Sequence, residues 1–331
     1  MMLNKLQVVA PVGAQSGGPE SLHNLARLAI RLGFDVEIVY FPYGEGHQVP
    51  DRYVHCQIPV STLKDEVNVA IVFPEIYCMQ ALSLKNAKPL IWWLSVDFFQ
   101  RIKYHSLRDK VRYFLMALRG ERPLGGVKTL RGLTHLTKAA YDRTFLQKNG
   151  ITGMQLSGPI SSFYLQPCPN SLIIKKQNTI LYSTHRNTNI VAALIVRFPD
   201  LIFIPVSGLS EQQLRELYLS SKLFIDFGNH PGKERMPREA AVSGCCIVTG
   251  LLGSAANDED IPIPKRFKLD IEDSDFFVKF KLLASDVFDN FLITSKEFEA
   301  YRYEIYNEHA QQERDFLNIV EKINLKQARI N

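Results

Sequence analysis

The charged stretch after residue 229 is the part of the chain whose residue types and spacing best fit ligand chemistry. It is HPGKERMPREAAVSGCCIVTG over residues 230–250, and it follows the apolar segment LFIDF. Lys233, Arg235 and Arg238 lie close to a predicted helix start, which carries a partial positive charge. Three cations at such a place repel one another unless an anion neutralises them. The stretch therefore predicts a binding site for a diphosphate or another phosphoryl group.

Glu239 has two explanations in the same stretch. Proline favours the first helical position and glycine the helix end, so the predicted helix begins at Pro237 and ends at Gly244. Glu239 would then be its third residue, where a carboxylate can cap the backbone. If a bound anion neutralises the neighbouring cations, Glu239 is instead available to accept hydrogen bonds from a sugar diol. The pattern predicts no role for Glu234.

A second phosphate contact is predicted at STHRN, residues 183–187, after the strand predicted over 178–184. Arg186 would lie at the carboxyl end of that strand, where ligands bind in parallel α/β sheets. Its guanidinium group could pair with a phosphate, and His185 beside it is a second candidate. An exposed loop arginine without a ligand is the alternative.

A glycine-rich turn, GAQSGGPE over residues 13–20, connects the first predicted strand to the first predicted helix. Backbone without side chains lets a ligand approach closely, and the helix start favours an anion. A tight turn without a ligand is the alternative. The spacing differs from the G-x-G-x-x-G of dinucleotide-binding enzymes, and no acidic residue ends the second predicted strand. Both observations argue against a dehydrogenase.

Three carboxylates near predicted strand ends are candidates for a general base. Glu20 opens the first helix, Glu75 follows the third strand, and Asp97 follows the fourth strand beside aromatic residues. Desolvation among aromatic side chains raises the pKa of a carboxyl group and makes it a better base near neutral pH. Asp97 has a second explanation as the cap of the helix that follows it. The pattern does not choose among the three carboxylates.

A metal site is not expected. Asp258, Glu259 and Asp260 have the D-x-D spacing found in some metal-dependent sugar transferases, but they lie in a late loop of the second half. No set of Cys and His residues in the sequence has the spacing of a zinc site. We therefore expect neither a metal nor another cofactor.

The order of apolar and amphipathic segments predicts two α/β domains. Short apolar runs alternate with helical patterns over residues 5–150 and again over 178–249, as in parallel sheets covered by helices on both faces. The segment 158–176 contains three prolines and no clear period, which is typical of a linker. The remaining residues are mostly helical in pattern.

Composition favours an ordered protein of the cytoplasm. The 331 residues, 46% of them hydrophobic, suit two domains. The start lacks the pattern of a signal peptide, and no window approaches the roughly 18 apolar residues of a membrane span. Five scattered cysteines do not form a disulfide pattern. We therefore expect a cytoplasmic location.

A strongly basic segment suggests where the chain meets a partner. Residues 101–131 carry nine Lys or Arg against two acidic residues, whereas the whole chain has a net charge of only +5. Apolar residues recur there at helical spacing, which predicts a basic amphipathic helix. Such a helix fits peripheral contact with the inner face of a membrane or with a charged acceptor, and a solvated surface helix is the alternative. No nucleic-acid motif accompanies the charge, so nucleic acid is not an expected partner. The side chains predicted to form this patch are Arg101, Lys103, Arg108, Lys110 and Arg112.

These segments together resemble GT-B glycosyltransferases, and most of all those of family 4. The opening GGPESLHNLARLAIRLGFDVEIVYF is similar to the first β-α-β unit of that family, and ILYSTHR is similar to its phosphate-contacting strand end. The specific part of the resemblance lies over residues 201–260. There a strand, a charged loop, an E-A-hydrophobic-x-x-G helix and a strand ending in a glycine turn follow one another.

The resemblance implies two Rossmann-like, doubly wound domains that face a cleft, with C-terminal helices crossing back to the N-terminal domain. It implies an acceptor domain over 1–160, a donor domain over 161–290 and a helical tail over 291–331.

The resemblance also implies how a nucleotide-sugar would bind. Arg186 would contact the diphosphate, Glu239 would contact the ribose, and Gly17 and Gly18 would border the donor phosphates and sugar. Basic side chains and helix ends, rather than a metal, would stabilise the leaving diphosphate. The glutamate that the family has eight residues before its ribose contact is replaced by Pro231 here.

The predicted function is therefore metal-independent transfer of a sugar from a nucleotide-sugar to a hydroxyl group. The acceptor would be a lipid-linked glycan or a surface polysaccharide of the capsule, O-antigen or lipopolysaccharide type. Two alternatives stay open: a sugar-nucleotide epimerase of the same fold and a non-catalytic binding protein. An epimerase would convert a UDP-sugar without any acceptor.

Overall fold

The computed structural model describes residues 5–100, 107–119, 126–167, 175–184 and 188–328. Four residues of the predicted sites, Arg101, Lys103, His185 and Arg186, lie outside these ranges.

The chain divides into two compact units. Unit 1 comprises Met1–Gly158 together with His309–Asn331, and unit 2 comprises Pro159–Glu308. The first boundary coincides with the start of the proline-containing segment.

Unit 1 is built on a parallel sheet with the strand order β2-β1-β3-β4-β5-β6. Its strands are β1 (Lys5–Pro11), β2 (Asp35–Phe41), β3 (Val69–Pro74), β4 (Lys88–Trp93), β5 (Thr134–Thr137) and β6 (Gly153–Gln155). Its helices within the first segment are α1 (Gly17–Arg31), α2 (Cys78–Ala81), α3 (Val96–Phe99), α4 (Leu107–Leu118) and α5 (Ala140–Lys148). The strand order reverses between β1 and β3, and such a reversal marks the ligand-binding edge of doubly wound sheets.

Helices cover both faces of this sheet, which explains the continuous apolar strands. In β1, Val8 and Ala10 belong to one apolar cluster whereas Val9 belongs to another. Successive side chains of a strand point to opposite faces, so each face of β1 has its own buried core. The two tryptophans of β4, Trp92 and Trp93, are divided between the clusters in the same way.

The last helix, α11 (Glu299–Ala328), contributes to both units. Its residues Phe316, Ile319 and Ile323 are spaced along one helix face and belong to the apolar cluster of unit 1. Phe316 contacts Phe34 edge-on, with 5.3 Å between the ring centroids. The earlier part of the predicted tail, residues 291–308, belongs to unit 2.

Unit 2 contains a parallel four-stranded sheet with the order β10-β9-β7-β8. Its strands are β7 (Gln177–Ser183), β8 (Ile202–Val206), β9 (Ser221–Asp226) and β10 (Cys246–Thr249). Its further helices are α6 (Thr188–Arg197), α7 (Glu211–Ser220), α8 (Arg235–Val242), α9 (Phe276–Asp289) and α10 (Phe291–Thr294). β7 lies between β8 and β9, so the order reverses there as it does in unit 1.

The predicted elements differ from the structure mainly at helix starts. The first helix begins at Gly17 rather than at residue 21, and α8 begins at Arg235 rather than at Pro237. Helices can start before a proline because the first four backbone N–H groups have no partner within the helix. The short strand β6 was not predicted, since three residues carry no readable alternation.

Candidate functional site

The charged stretch of unit 2 lies where the strand order reverses. β9 ends at Asp226, and β7 is its neighbour in the sheet. Ligands of parallel α/β sheets bind at the carboxyl ends of strands at such a reversal. The loop between β9 and α8 therefore occupies the position from which the sequence predicts contact with a ligand.

This loop is held against the turn that follows β10. His230 is fully buried, and its Nε2 lies 3.2 Å from an oxygen of Asp226. The backbone N–H of Ser254 donates to the carbonyl of His230 at 2.8 Å, and the Ser254 hydroxyl donates to the carbonyl of Gly232 at 2.5 Å. Gly253 has φ +66°, and a Cβ atom there would lie 2.2 Å from the His230 carbonyl oxygen. The loop path thus depends on a glycine at 253.

The observed start of α8 decides whether the Glu239 side chain can cap this helix. Glu239 is the fifth helical residue instead of the third, and the N-cap position is occupied by Glu234. A carboxylate at the fifth position does not cap the helix start, so the capping explanation for Glu239 is wrong. Glu239 is fully buried, and its Oε1 lies 3.0 Å from the Arg235 Nε. A buried carboxylate needs such a partner to remain charged.

A buried phenol accompanies this carboxylate. Tyr218, at the end of α7, has no solvent exposure, and its hydroxyl has no hydrogen-bond partner within the described part of the chain. Burial raises the pKa of Tyr218 well above its usual value, and the negative charge of Glu239 raises it further. The Glu239 carboxylate of α8 and the Tyr218 hydroxyl of α7 are thus two buried groups that can form hydrogen bonds.

Two of the three predicted phosphate-binding cations contact an acidic residue from a distant part of the chain. Arg238 is almost completely buried, and its Nη1 donates to Glu308 at 2.6 Å. The ammonium group of Lys233 lies 2.9 Å from the other oxygen of Glu308. Burial alone would raise the pKa of Glu308, but the adjacent cations Arg238 and Lys233 hold it below its usual range.

Arg238 also fixes the loop before its own helix. Its guanidinium group donates to the carbonyls of Glu234 and Lys233 at 2.9 and 3.0 Å. The anion that the sequence pattern requires is therefore supplied in part by Glu308 of the same chain. No local signal in the sequence identifies Glu308, because it is 70 residues away from Arg238.

The glycine-rich turn of unit 1 opens α1. Gly17 and Gly18 are the first two helical residues. Among the described residues, no atom would lie within 4 Å of a Cβ added at Gly17, and Leu94 would lie 3.8 Å from one at Gly18. The backbone at the start of α1 is therefore open to close approach.

The three candidate bases have different surroundings. Glu20 is largely buried, and its carboxylate lies 3.1 Å from the Arg52 guanidinium group. Asp97 accepts a hydrogen bond from the Tyr141 hydroxyl at 3.0 Å. The explanation of Asp97 as a helix cap is wrong, because Ser95 is the N-cap of α3 and accepts from a backbone N–H with its side chain.

Glu75 has the surroundings that best suit a base. Its side chain is buried directly after β3, and its carboxylate accepts the backbone N–H of Leu94 at 3.0 Å. Desolvation raises the pKa of Glu75 to about 7, although backbone hydrogen bonds and the Lys138 cation act in the opposite direction. A carboxyl group with a pKa near the working pH is well matched to proton transfer.

Lys138 was not singled out by the sequence pattern. It follows β5, is largely buried, and donates from its Nζ to the Ser21 hydroxyl at 3.1 Å. Ser21 in turn donates to the carbonyl of Gly17 at 3.0 Å. The sequence shows that a lysine follows this strand, but only the structure shows that its side chain is buried.

The basic helix predicted in unit 1 is present as α4. Its apolar residues Leu107, Val111, Phe114, Leu115 and Leu118 are all exposed. Arg108, Lys110 and Arg112 are exposed on the same helix. An exposed apolar stripe flanked by cations is typical of a helix that lies on an anionic surface.

The described residues contain neither a group of metal ligands nor a helix that could span a membrane. Within them, no three His, Cys, Asp or Glu side chains are grouped as metal ligands would be. Asp258, of the D-x-D sequence, pairs instead with Lys268 at 2.7 Å. The same part of the chain has no helix that combines the length and hydrophobicity needed to cross a membrane.

No protein-family model matches the sequence, and no curated protein is detectably similar to it. Solved structures are similar in fold. A glycosyltransferase from Rickettsia africae ESF-5 has a TM-score of 0.63 and 14% identity, covering 96% of this chain and 98% of that chain. An alpha-glucosyltransferase in complex with UDP has a TM-score of 0.57 and 10% identity, covering 96% and 99%. The catalytic domain of starch synthase IV from Arabidopsis thaliana, bound to ADP and acarbose, has a TM-score of 0.55 and 10% identity, covering 97% and 99%.

These similarities extend over nearly the whole chain. At such low identity they establish the fold, which is the GT-B fold with two Rossmann-like domains that the sequence predicts.

Proposed function

We propose that this protein is a glycosyltransferase that moves a sugar from a nucleotide-sugar to a hydroxyl group of an acceptor. The observation that carries the proposal is the buried carboxylate of Glu239 at the strand-order reversal of unit 2. It has no capping role, and a chain of GT-B fold uses this edge of the sheet for its donor. It pairs with Arg235 of its own helix, and a buried carboxylate at this edge can also accept hydrogen bonds from a ligand.

The surroundings of Glu239 support a ribose contact. Its carboxylate oxygens can accept two hydrogen bonds from a vicinal diol, and the buried Tyr218 hydroxyl provides another polar group nearby. Arg235 is only partly buried, so its guanidinium group can pair with a donor phosphate. Lys233 and Arg238 would act on the donor chiefly by fixing the loop, because both already pair with the carboxylate of Glu308. Arg186 and His185 remain proposed phosphate contacts.

The reaction would be a single group transfer. The acceptor oxygen forms a bond to the anomeric carbon while the bond from that carbon to the diphosphate oxygen breaks. The electron pair of the broken bond goes to the diphosphate, and the acceptor proton goes to a base. Cations and the helix start would stabilise the charge that develops on the leaving group, so the proposal needs no metal.

Glu75 is the proposed base. Its pKa of about 7 makes it partly ionised at neutral pH, and its buried position protects it from competing solvent. Glu20 and Asp97 are less suited, since an arginine and a tyrosine hydroxyl already contact their carboxylates. A base in the N-terminal unit would act on the acceptor, which is expected to be a lipid-linked or surface polysaccharide.

Nucleotide binding tests the donor half of the proposal. Calorimetric titration with UDP, ADP and GDP should give saturable binding for at least one of them. The variant Glu239→Gln should weaken it about tenfold or more, because a neutral amide replaces a charged hydrogen-bond acceptor. Glu234→Gln, at the N-cap position five residues before Glu239, is the matched control and should bind as the wild type does. Absence of binding to every nucleotide would count against the proposal.

Product analysis separates the proposed transfer from the two alternatives. Incubation with a nucleotide-sugar should release nucleoside diphosphate only when an acceptor hydroxyl is present. An epimerase would convert the donor without an acceptor, and a binding protein would leave it unchanged. Each result is read directly by chromatography of the nucleotide products.

The exposed face of α4 supports peripheral membrane contact. Sedimentation with vesicles of phosphatidylglycerol should retain the protein at low salt, whereas vesicles of phosphatidylcholine should not. Replacing Arg108, Lys110 and Arg112 by Gln should abolish that retention without changing nucleotide binding. Equal retention by both kinds of vesicle would contradict a charge-based contact.

A further inference from the structure

The acidic residue that pairs with the loop before α8 has two cationic partners. One carboxylate oxygen of Glu308 accepts from the Arg238 Nη1 at 2.6 Å, and the other lies 2.9 Å from the Lys233 ammonium group. All three side chains belong to unit 2. Because two cations share a single carboxylate, this group of side chains keeps an excess of positive charge even with its internal anion in place.

The two cations are held to different degrees. The Arg238 side chain is 2% exposed, and its guanidinium group also donates to the carbonyls of Glu234 and Lys233 at 2.9 and 3.0 Å. The Lys233 side chain is 20% exposed. A lysine ammonium group is a point charge on a flexible chain, whereas a guanidinium group with several acceptors is fixed in one plane. Lys233 is therefore the cation of the two that can change its partner.

The backbone on both sides of this change is fixed. The Lys233 carbonyl accepts from Arg238 at 3.0 Å, and the carbonyl of the preceding Gly232 accepts from the Ser254 hydroxyl at 2.5 Å. A change of partner by the ammonium group therefore requires only rotations about side-chain bonds, which are fast for partly exposed residues.

The carboxylate of Glu308 cannot follow the lysine, because its helix is anchored within unit 2. Tyr301 and Ile305 precede it on the same face of α11 and belong to the buried core cluster of this unit. Arg302 donates from its Nε to the carbonyl of Ala241 at 2.8 Å, which ties α11 to α8. Glu308 itself is only 5% exposed. A ligand that competes for the ammonium group thus competes with an anion in a fixed place.

We propose that Glu308 is a positioning residue of the donor site, which holds the Lys233 ammonium group before the donor binds and releases it to the donor diphosphate. The inference rests on the proposed function, in which the loop before α8 lies beside that diphosphate. A diphosphate carries more negative charge than a carboxylate and attracts the ammonium group more strongly. Glu308 keeps its contact with Arg238 during the exchange, so its buried charge retains a partner.

The sign of one affinity change distinguishes this role from a structural one. If Glu308 competes with the diphosphate, then removing its charge while keeping its shape should strengthen diphosphate binding. If Glu308 only supports the loop, then the same change should weaken binding or leave it unaltered. Glu308→Gln makes this change, since the amide oxygen can still accept a hydrogen bond from Arg238.

The experiment is a calorimetric titration of the full chain with inorganic pyrophosphate, which carries the diphosphate group without a nucleoside. Glu308→Gln should bind it about threefold to tenfold more tightly than the wild type, because an ion pair no longer has to be broken. Lys233→Met should bind it more weakly, and most of the gain should be lost when both residues are replaced. Glu304→Gln is the matched control, since it removes the same charge from an exposed position one turn earlier in α11 and should bind as the wild type does.

A second measurement uses the wild type and does not depend on the folding of Glu308→Gln. Lysine labelled with carbon-13 at Cε gives a resonance for Lys233 that is assigned by its absence from the spectrum of Lys233→Met. Pyrophosphate should shift this resonance, whereas sodium chloride at the same ionic strength should not. A resonance that pyrophosphate leaves in place would overturn the inference.

The outcomes also separate this inference from the proposed function. Tighter binding by Glu308→Gln that depends on Lys233 supports the inference. Unchanged or weaker binding, an equal gain in Glu304→Gln, or no binding of pyrophosphate by any variant overturns it. If UDP, ADP and GDP bind the wild type but Glu308→Gln gains no affinity for pyrophosphate, the inference fails alone. If no nucleotide binds while pyrophosphate behaves as expected, the donor proposal fails and the exchange of partners stands.

Discussion

At the scale of single residues, Glu75 gives the protein a pH-dependent stability. Its pKa is raised from 4.5 to about 7 in the folded state, chiefly by burial. The stability is therefore full below pH 4.5 and decreases as the pH rises through 7, because the unfolded chain loses the proton more easily. The loss above pH 7 corresponds to about 3 kcal/mol.

The variant Glu75→Gln should remove this dependence, since the amide keeps the hydrogen bond from Leu94 and never ionises. It should unfold at a higher temperature than the wild type at pH 8 and at a similar temperature at pH 5. Scanning calorimetry at the two pH values measures the difference. Glu66→Gln, an exposed glutamate of the same unit, is the control and should show no such crossover. Parallel curves for Glu75→Gln and the wild type would contradict the raised pKa.

Glu308 is the residue whose loss should destabilise unit 2 most directly. Glu308→Ala would leave Arg238 buried without its carboxylate, and breaking a buried ion pair on one side costs about 3–5 kcal/mol. Denaturant unfolding measures the change. Glu304→Ala, an exposed residue one turn earlier in the same helix, should cost less than about 0.5 kcal/mol. Similar losses for the two variants would mean that the ion pair does not stabilise the fold.

At the scale of elements, the loop before α8 should depend on Gly253. A Cβ atom there combines an unfavourable positive φ with a clash against the His230 carbonyl. Gly253→Ala should therefore reduce stability by about 2 kcal/mol or more and weaken nucleotide binding as the loop shifts. Gly208→Ala is a matched control, because Gly208 has φ +67° and open space around its Cβ position among the described residues. Gly208→Ala should lower the free energy of unfolding because of the positive φ, and it should not weaken nucleotide binding. Denaturant unfolding and calorimetric titration measure the two effects.

At the scale of the whole molecule, the C-terminal part of α11 completes the core of unit 1. Phe316→Ala should destabilise that unit by about 3–5 kcal/mol, since it opens a cavity in a packed cluster. Hydrogen exchange of the β1 and β3 amides measures the loss within unit 1 itself. Leu317→Ala, the next residue and 45% exposed, is the control and should change exchange little. Unchanged exchange in Phe316→Ala would mean that this helix is dispensable for the unit.

Local patterns predicted much of the fold because they depend on short-range physics. Continuous apolar runs separated by amphipathic helices indicated two parallel α/β domains, and the GT-B fold is confirmed by similar solved structures. The observed helix starts differ from the predicted ones, as in α8, which begins at Arg235, two residues before Pro237. Helix starts depend on caps and on tertiary contacts that a short window does not contain.

The sequence alone determined the alternation of strands and helices, the two-domain plan and the position of Glu239 after a strand end, because each follows from residue order along one segment. Only the tertiary structure decided which charges meet. Glu308 reaches Lys233 and Arg238 from another part of the chain, and Lys138 reaches Ser21 across 117 residues. Burial, which raises the pKa of Glu75 to about 7, is likewise a property of packed neighbours. The sequence thus predicted a phosphate site from the cations of 230–250, and the tertiary structure showed that two of them, Lys233 and Arg238, pair with Glu308.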